Sequence, residues 1–174
     1  MKRHVVLVGL PGSGKSTVGR LAAGLLGAPF LDLDDEIERV AGQSVREIFE
    51  VRGEAGFREL ERGAMRRALC AEPAIVAPGG GWAAQPGAME EARELAFIMY
   101  LSVPAEVAAA RCAMDGQEST VNRRPLTVDQ PLALLMKARE PYYLQADVVV
   151  SNAADDASRV ARLVSDLARR HAGW

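Results

Sequence analysis

The sequence has little of what marks a secreted, membrane-spanning or nucleic-acid-binding protein. It contains 2 cysteines, Cys70 and Cys112, whose spacing matches no metal site, so we expect both to be reduced thiols in the core. No apolar run approaches the roughly 18 residues of a membrane span. Lysine and arginine number 21 against 23 acidic residues, and the net charge of −2 predicts no basic face for nucleic acid.

The chain also lacks internal repeats, low-complexity linkers and an apolar leader. Its 174 residues, 49% hydrophobic and 25% charged, are typical of one globular domain spanning residues 1–174. The segment from Met1 to His4 leads directly into an apolar run and has no signal-peptide pattern, so we expect a cytoplasmic protein. Composition thus bounds the class of protein, and the local motifs must indicate its function.

The central motif is the glycine-rich segment from Gly9 to Ser16. Its sequence, GLPGSGKS, fits the phosphate-binding P-loop pattern GxxxxGK[ST] at every required position. A strand-like apolar run precedes it and a helical pattern follows it, which disfavours the alternative of a plain flexible turn. In this context the backbone N–H groups converge on a phosphate. Lys15 would reach the β- and γ-phosphates, and the Ser16 hydroxyl would bind Mg²⁺.

Strand-like apolar runs alternate with helical patterns along the whole chain. We therefore predict an α/β fold with a five-stranded parallel sheet and helices on both of its faces. Ligands of such sheets bind beyond the carboxyl ends of the strands, which is where the P-loop and the motifs below lie. The predicted strands cover residues 4–8, 29–34, 74–77, 96–101 and 147–150.

Two carboxylates end the second predicted strand. Asp32 and Asp34 are two residues apart, a spacing that puts both side chains on one side of an extended chain. One of them could bind Mg²⁺, and the other could orient a substrate hydroxyl or accept its proton. The alternative is that they belong to the first turn of a helix, which the acidic run Asp34-Asp35-Glu36 also fits.

The middle of the chain holds two further polar features. Gly79, Gly80 and Gly81 follow the third predicted strand, and three glycines in a row would let the backbone approach a ligand, whereas a tight turn needs only one or two. Arg58 and Glu61 have the i, i+3 spacing of a helical ion pair. From the residues alone, a solvated surface pair is the favoured interpretation.

Two arginines in the second half of the chain are candidate anion ligands. Arg124 lies in residues 115–127, which lack periodicity and predict an exposed, mobile loop; an arginine there can swing onto a transferring phosphate. Arg139 comes near the end of a helix and could bind a carboxylate through its guanidinium fork. The alternatives are a solvated loop arginine and a partner of the helix dipole.

Taken in order, these motifs resemble the shikimate kinase family. The ordered set is far more specific than the P-loop, which many nucleotide-binding proteins share. Besides the P-loop, the matching segments are Asp32-Leu33-Asp34, Gly42-Gln43-Ser44-Val45 with Ile48-Phe49, Gly53-Glu54 with Phe57-Arg58 and Glu61, Gly79-Gly80-Gly81, Arg124-Pro125-Leu126, and Arg139 with Pro141 and Tyr142.

The resemblance implies a three-layer α/β/α P-loop fold of the nucleoside-monophosphate-kinase type. A substrate-binding insert would span about residues 33–61 and a lid about residues 112–125. The implied reaction is ATP-dependent phosphorylation of shikimate to shikimate 3-phosphate, in aromatic amino-acid biosynthesis. The implied cofactor is Mg²⁺, the ligands are ATP or ADP and shikimate, and the family likeness favours a monomer.

The resemblance also implies a role for each matching residue. The nucleotide would be bound by Gly12, Ser13, Gly14, Lys15, Ser16, Thr17, Arg111 and Arg124. Ser16 and Asp32 would serve Mg²⁺. The acceptor would be bound by Asp34, Arg58, Gly80, Gly81 and Arg139, with Glu61 orienting Arg58. The catalytic residues would be Asp34, as the base, together with Lys15 and Arg124, while residues 152–155 resemble an adenine loop by position only.

Departures from the family pattern leave two rival functions open. Ala77-Pro78 stands where a small hydroxyl residue is usual, and Trp82 follows the glycines where a small residue is common. One rival is a kinase for another polyol such as gluconate, although a pair of carboxylate-binding arginines argues against it. The other is a non-catalytic nucleotide-binding regulatory module, against which intact Lys15 and Asp34 argue.

Overall fold

Five parallel strands form one sheet at the centre of the computed structural model, which describes residues 1–114, 131–154 and 156–174. Their order across the sheet is β2-β3-β1-β4-β5, so the first strand is the central one. This confirms the predicted α/β fold and its five-stranded parallel sheet. In chain order the strands are β1 (His4–Val8), β2 (Phe30–Asp32), β3 (Ile75–Ala77), β4 (Ala96–Ser102) and β5 (Val148–Ser151).

Helices cover both faces of this sheet, because alternate residues of each strand point to opposite sides. Val5 and Leu7 pack in one apolar cluster with α1 and α7, whereas Val6 and Val8 pack in a second cluster with the remaining helices. The described part of the chain thus forms three layers. Its helices are α1 (Lys15–Leu26), α2 (Leu33–Ala41), α3 (Val45–Leu69), α4 (Ala88–Arg93), α5 (Ala105–Met114), α6 (Leu132–Tyr143) and α7 (Ala157–His171), with a short 3₁₀ turn at Trp82–Ala84.

The long helix α3 changes direction at Gly53. It begins with a capping box, in which Ser44 and Glu47 bond each other's backbone N–H groups, an arrangement that the S-x-x-E spacing favours. Gly53 has φ 66° and ψ −175°, a conformation open almost only to glycine, so the helix breaks at this residue. The rings of Phe49 and Phe57 stack across the bend with centroids 4.6 Å apart. The bend therefore orients the part of α3 that carries Arg58.

The amino end of the sheet holds a buried histidine and the two chain termini. His4 is 3% exposed, and its Nδ1 accepts a hydrogen bond of 3.2 Å from the backbone N–H of Ala74. Burial lowers the pKa of His4, although backbone hydrogen bonds partly oppose this effect. The indole N–H of Trp174 donates to the carbonyl oxygen of Arg3 at 2.9 Å. These contacts lie at the edge of the sheet opposite to the P-loop.

Both cysteines are free, but neither is a core residue. Cys70 is exposed and Cys112 is half-buried, so the expectation of core thiols is wrong in its placement. Cys70 ends α3 at the surface, and Cys112 lies on α5 against the P-loop. Within the described ranges, no helix has both the length and the apolar character needed to cross a membrane.

Candidate active site

The P-loop connects the central strand β1 to α1 and is held in a glycine-dependent conformation. Gly12 and Gly14 have φ of 77° and 86°, in the left-handed region. A Cβ atom on Gly12 would lie 2.4 Å from the carbonyl oxygen of Ala108, so this position is sterically closed to any side chain. Lys15 Nζ donates to the carbonyl oxygens of Gly9 and Leu10, both at 2.9 Å. The loop therefore folds around the lysine ammonium.

Ser16 and Asp32 bring two hard oxygen donors together beside this loop. The Ser16 hydroxyl donates to Asp32 Oδ2 at 2.6 Å. Burial raises the pKa of Asp32, while the hydrogen bond from Ser16 lowers it and the negative charges of Asp34 and Asp35 raise it further. A bound cation would offset the cost of burying this carboxylate. Hydroxyl and carboxylate oxygens are ligands that Mg²⁺ accepts, so these residues fit the expected ion.

The structure corrects the local geometry expected for the acidic pair. Strand β2 ends at Asp32, and Asp34 already lies in the first turn of α2. Asp32 caps that helix, because its Oδ1 accepts the backbone N–H of Asp34 at 3.1 Å. The prediction of an extended chain through Asp34 is therefore wrong, since the cap starts the helix two residues earlier. Asp34 is nevertheless 1% exposed, unlike a solvated first-turn acid.

The ion pair of Arg58 and Glu61 is buried, which overturns the expectation of a surface pair. Arg58 is 7% exposed and Glu61 0%. Arg58 Nη1 donates to Glu61 Oε2 at 2.6 Å, and Nη2 donates to Glu54 at 3.3 Å. The guanidinium also lies over the ring of Phe57, 5.6 Å from its centroid. Burying two charges is costly even when they pair, so stability alone is a weak reason for this arrangement.

The three glycines after β3 lie between the P-loop and Arg58. A Cβ atom on Gly80 would be 2.7 Å from Cδ of Pro11, and one on Gly81 would be 2.5 Å from Nη2 of Arg58. Both distances are shorter than real Cβ contacts, so these glycines lie close to the phosphate loop on one side and to the buried arginine on the other. The predicted approach of this backbone to a ligand stays a prediction, and the fold shows its approach to these two protein elements.

Trp82, which follows the glycines, packs into the core. It is 2% exposed and belongs to the apolar cluster that also contains Tyr143 and Ala83. Pro78 is buried as well. The large ring, at a position where the family commonly has a small residue, is therefore buried and not exposed to solvent.

A cavity of about 210 Å³ opens on the other side of the P-loop. It is bordered by four residues expected to bind nucleotide, Gly12, Gly14, Thr17 and Arg111. It is also bordered by Asn152 and Ala154, which follow β5. Because the cavity adjoins the loop that would hold the phosphates, it lies where the remainder of a nucleotide would extend.

Asn152 connects this cavity to the P-loop, and from the sequence it is placed only within residues 152–155, which resemble an adenine loop by position. It is 3% exposed, and its Nδ2 donates to the carbonyl oxygen of Ser13 at 2.8 Å. Arg111 Nη2 in turn donates to the carbonyl oxygen of Asn152 at 2.9 Å. The contact with Ser13 spans 139 residues of sequence, so no local pattern could reveal it. The signals available in the sequence were an amide residue directly after the last predicted strand and the positional resemblance of residues 152–155 to an adenine loop.

The arginines of the second half of the chain are only partly described. Arg139 is half-buried on α6, one turn before Tyr143 and on the same helix face. Tyr143, a second residue missed from the sequence, is 0% exposed and donates its hydroxyl to the carbonyl oxygen of Gly80. Arg124 and most of the expected lid lie outside the described residues, as does Asp155.

A cation bound here would take its protein ligands from one hydroxyl and one carboxylate. In the described portions of the chain, no group of three or more His, Cys, Asp or Glu side chains could hold a metal ion. Mg²⁺ in phosphate sites is commonly held by one or two protein oxygens, together with phosphate and water. The Ser16–Asp32 pair is sufficient on the protein side of such a site.

Comparisons of sequence and of structure with known proteins both find shikimate kinases. A family model described as shikimate kinase matches residues 11–168. The shikimate kinase of Moorella thermoacetica is 37% identical over 166 residues, which are 95% of this chain and 94% of that protein. The solved shikimate kinase from Acinetobacter baumannii in complex with shikimate has a TM-score of 0.88 and 34% identity, covering 98% of this chain and 94% of that one.

A gluconokinase of known structure is more distant. The enzyme from Sinorhizobium meliloti has a TM-score of 0.64 and 19% identity, over 99% of this chain and 94% of that one. At that identity the likeness concerns the fold alone.

Proposed function

The chain belongs to the shikimate kinase family, and we propose that it transfers the γ-phosphate of ATP to a hydroxyl of shikimate, giving ADP and shikimate 3-phosphate. One observation carries this proposal: the buried Arg58–Glu61 pair touches the same glycine triplet that touches the P-loop. A phosphate donor site and a carboxylate-binding arginine are thus separated by a few residues of backbone. The related solved enzyme is a complex with shikimate, which supports this acceptor.

On the donor side, the P-loop backbone and Lys15 would bind the phosphates. Lys15 Nζ, now bonded to two loop carbonyls, would exchange these partners for phosphate oxygens. Gly12, Ser13, Gly14, Ser16 and Thr17 would supply the backbone and hydroxyl contacts around them. Arg111, at the edge of the cavity, would contact the base.

Ser16 and Asp32 would hold Mg²⁺ with the nucleotide. When bound, the ion neutralises part of the phosphate charge that repels an incoming oxygen. The family's usual small hydroxyl residue after β3 is replaced by Ala77-Pro78, so the chain offers the ion no side-chain oxygen at that position. Among the described residues, we therefore assign the protein ligands to Ser16 and Asp32.

On the acceptor side, charge complementarity selects an acid that carries hydroxyls. Arg58, oriented by Glu61, and Arg139 would bind the carboxylate, because the guanidinium fork matches carboxylate geometry. Gly80 and Gly81 would present backbone to the ring hydroxyls. Asp34, buried beside Asp32, would orient the reacting hydroxyl and accept its proton as the phosphoryl group transfers.

Catalysis here consists mainly of positioning and charge neutralisation. Arg124, on the segment proposed as a lid, would add positive charge to the transferring phosphoryl group. Closure of that segment would exclude water, which otherwise competes with the acceptor hydroxyl.

A coupled ADP-release assay with shikimate, quinate and gluconate tests the proposal. We expect turnover with shikimate and, at equal concentration, none above background with gluconate. ADP release with gluconate alone would establish the polyol-kinase alternative. ATP binding without turnover on any acceptor would establish the regulatory alternative.

A further inference from the structure

We propose that Tyr143 is a positioning residue for the acceptor: its hydroxyl sets the orientation of the Gly80–Gly81 peptide, and thereby the N–H group of Gly81 that faces the acceptor. This inference rests on the proposed function, since it uses the assignment of both glycines to the acceptor pocket.

Tyr143 is a hydrogen-bond donor with a fixed position. It is the last residue of α6 and is 0% exposed. Its ring packs against that of Tyr100 on β4, with centroids 5.1 Å apart and planes at 32°. Its hydroxyl donates to the carbonyl oxygen of Gly80, a residue 63 positions earlier in the chain. A buried ring held on its faces has little freedom, so the hydroxyl occupies a fixed point in the core.

The glycines have no side chains, so hydrogen bonds to their carbonyl oxygens must define their orientation. The backbone N–H of Trp82 donates to Gly79 at 3.0 Å, and Gln85 Nε2 donates to Gly81 at 3.3 Å. Both of these donors lie within four residues of their acceptors. In the described structure, the bond from Tyr143 is the long-range restraint on the triplet.

The same bond determines where the next N–H group points. The peptide bonds of the described chain are all trans, and in a trans unit the C=O and N–H groups point in opposite directions. With the Gly80 oxygen fixed toward Tyr143, the Gly81 N–H points away from it. Gly81 lies against the Arg58 guanidinium and Gly80 against Pro11 of the P-loop. The peptide unit thus lies between the phosphate-donor site and the acceptor site. A rotation of this unit would turn the Gly81 N–H group away from the bound acceptor.

Tyr143 also acts on the second arginine of the acceptor site. Arg139 precedes it by four residues on α6, so both lie on one face of that helix. The hydroxyl bond ties the end of this helix to the glycine triplet. One contact therefore sets the spacing between Arg139 and the backbone on which the acceptor would lie.

The test is Tyr143→Phe, which removes a single oxygen, with Tyr142→Phe as the matched control on the neighbouring residue, 40% exposed. We expect KM for shikimate to rise roughly tenfold in Tyr143→Phe, with KM for ATP within about twofold of wild type. Tyr142→Phe should match wild type in both. A lower Tm with unchanged KM for shikimate, or an equal rise of both KM values, overturns the proposal.

A second measurement applies if Tyr143→Phe does not fold. In wild-type enzyme labelled with ¹⁵N-glycine, shikimate should slow hydrogen exchange of the Gly81 amide, whereas the Gly24 amide on α1 should be unaffected. An unchanged Gly81 amide overturns the proposal. The proposed function fails separately, if the wild-type enzyme does not phosphorylate shikimate. If the wild-type enzyme does phosphorylate shikimate and Tyr143→Phe has unaltered kinetics, only the role of Tyr143 is refuted.

Discussion

At the scale of single residues, the arginine of a buried ion pair lies against the glycine triplet. Among the described residues, the Asp, Glu, Lys and Arg side chains that are buried are Asp34, Arg58 and Glu61. Removing a charge from water costs several kcal/mol unless partners replace the lost hydration. Arg58 and Glu61 replace part of each other's lost hydration through their ion pair, in which Nη1 and Oε2 are 2.6 Å apart. We attribute the remaining cost to function, because a carboxylate ligand would complete the partners of Arg58.

Removal of Arg58 should separate the stability of this pair from its binding role. Arg58→Ala takes the guanidinium away from the buried Glu61 carboxylate, which should cost about 3–5 kcal/mol and lower Tm by roughly 10 °C. The double variant Arg58→Met, Glu61→Leu should recover most of this loss in thermal unfolding, yet KM for shikimate should stay raised.

Arg46→Ala is the control, since Arg46 forms an exposed pair with Glu50 on the same helix. It should change stability by less than about 0.5 kcal/mol. A double variant with normal KM would return Arg58 to a purely structural role.

Asp34→Asn should affect the chemical step rather than nucleotide binding. Loss of a general base lowers kcat by ~10² or more, while the affinity for ATP should stay nearly intact. Steady-state kinetics with varied ATP and shikimate measure both quantities. Asp35→Asn, at the exposed neighbouring position, should behave like wild type. An unchanged kcat in Asp34→Asn would remove the residue from the base role.

The elements that carry these residues meet because the chain bends or is joined at a few defined points. The bend at Gly53 orients the second half of α3, and the cap at Asp32 starts α2 directly after β2. On the nucleotide side, Asn152 joins the segment after β5 to the P-loop. These junctions, rather than the helices themselves, decide the spacing within the site.

Gly53→Ala should be destabilising although no atom obstructs the added methyl group. The space around Gly53 is open, so the cost comes from its backbone, whose φ and ψ disfavour any side chain by about 1–3 kcal/mol. Gly24→Ala, in the interior of α1 with equally open space, should instead stabilise by about 0.5–1 kcal/mol. Chemical denaturation measures both; effects of the same sign would contradict the account of the bend.

Asn152→Ala should weaken nucleotide binding selectively. It removes the donor to the buried carbonyl of Ser13, while the bond from Arg111 to the backbone of residue 152 can remain. We expect KM for ATP to rise roughly tenfold, with KM for shikimate unchanged. Ser151→Ala, at an exposed neighbour on β5, serves as the control. Equal changes in both KM values would indicate general damage to the sheet edge.

The stability of the whole molecule should depend on pH through His4. Burial holds the pKa of His4 below its ordinary value of 6.5, so the folded protein keeps this histidine neutral. Below pH 6.5 the unfolded chain takes up a proton that the folded chain does not. The stability contributed by neutral His4 is therefore present above pH 6.5 and lost as the pH falls below it.

His4→Asn keeps an acceptor for the Ala74 N–H but cannot titrate. Its Tm should fall less than that of wild type between about pH 7.5 and about pH 5.5 in thermal unfolding. Identical slopes for wild type and His4→Asn would exclude His4 as the source.

Features encoded by neighbouring residues could be predicted from the sequence, whereas those made by distant residues could not. The P-loop, the cap at Ser44, the break at Gly53 and the parallel sheet follow from local patterns. The burial of Arg58 depends on Gly81 and on the stacked rings of Phe49 and Phe57, so spacing alone suggested a surface pair. The start of α2 was misplaced because a capping carboxylate and a strand-end carboxylate look alike in sequence. The role of Arg124 stays a prediction.

The position of Trp82 gives the molecule a built-in optical probe. The chain contains 2 tryptophans, and they lie at opposite edges of the sheet: Trp82 is buried directly after Gly81, and Trp174 is bonded to Arg3. In a Trp174→Phe background, the tryptophan fluorescence would come from Trp82 alone. The backbone N–H of Trp82 donates to the carbonyl oxygen of Gly79 in the glycine triplet. Emission from that indole would follow the acceptor pocket directly, without a label and without the turnover of ATP.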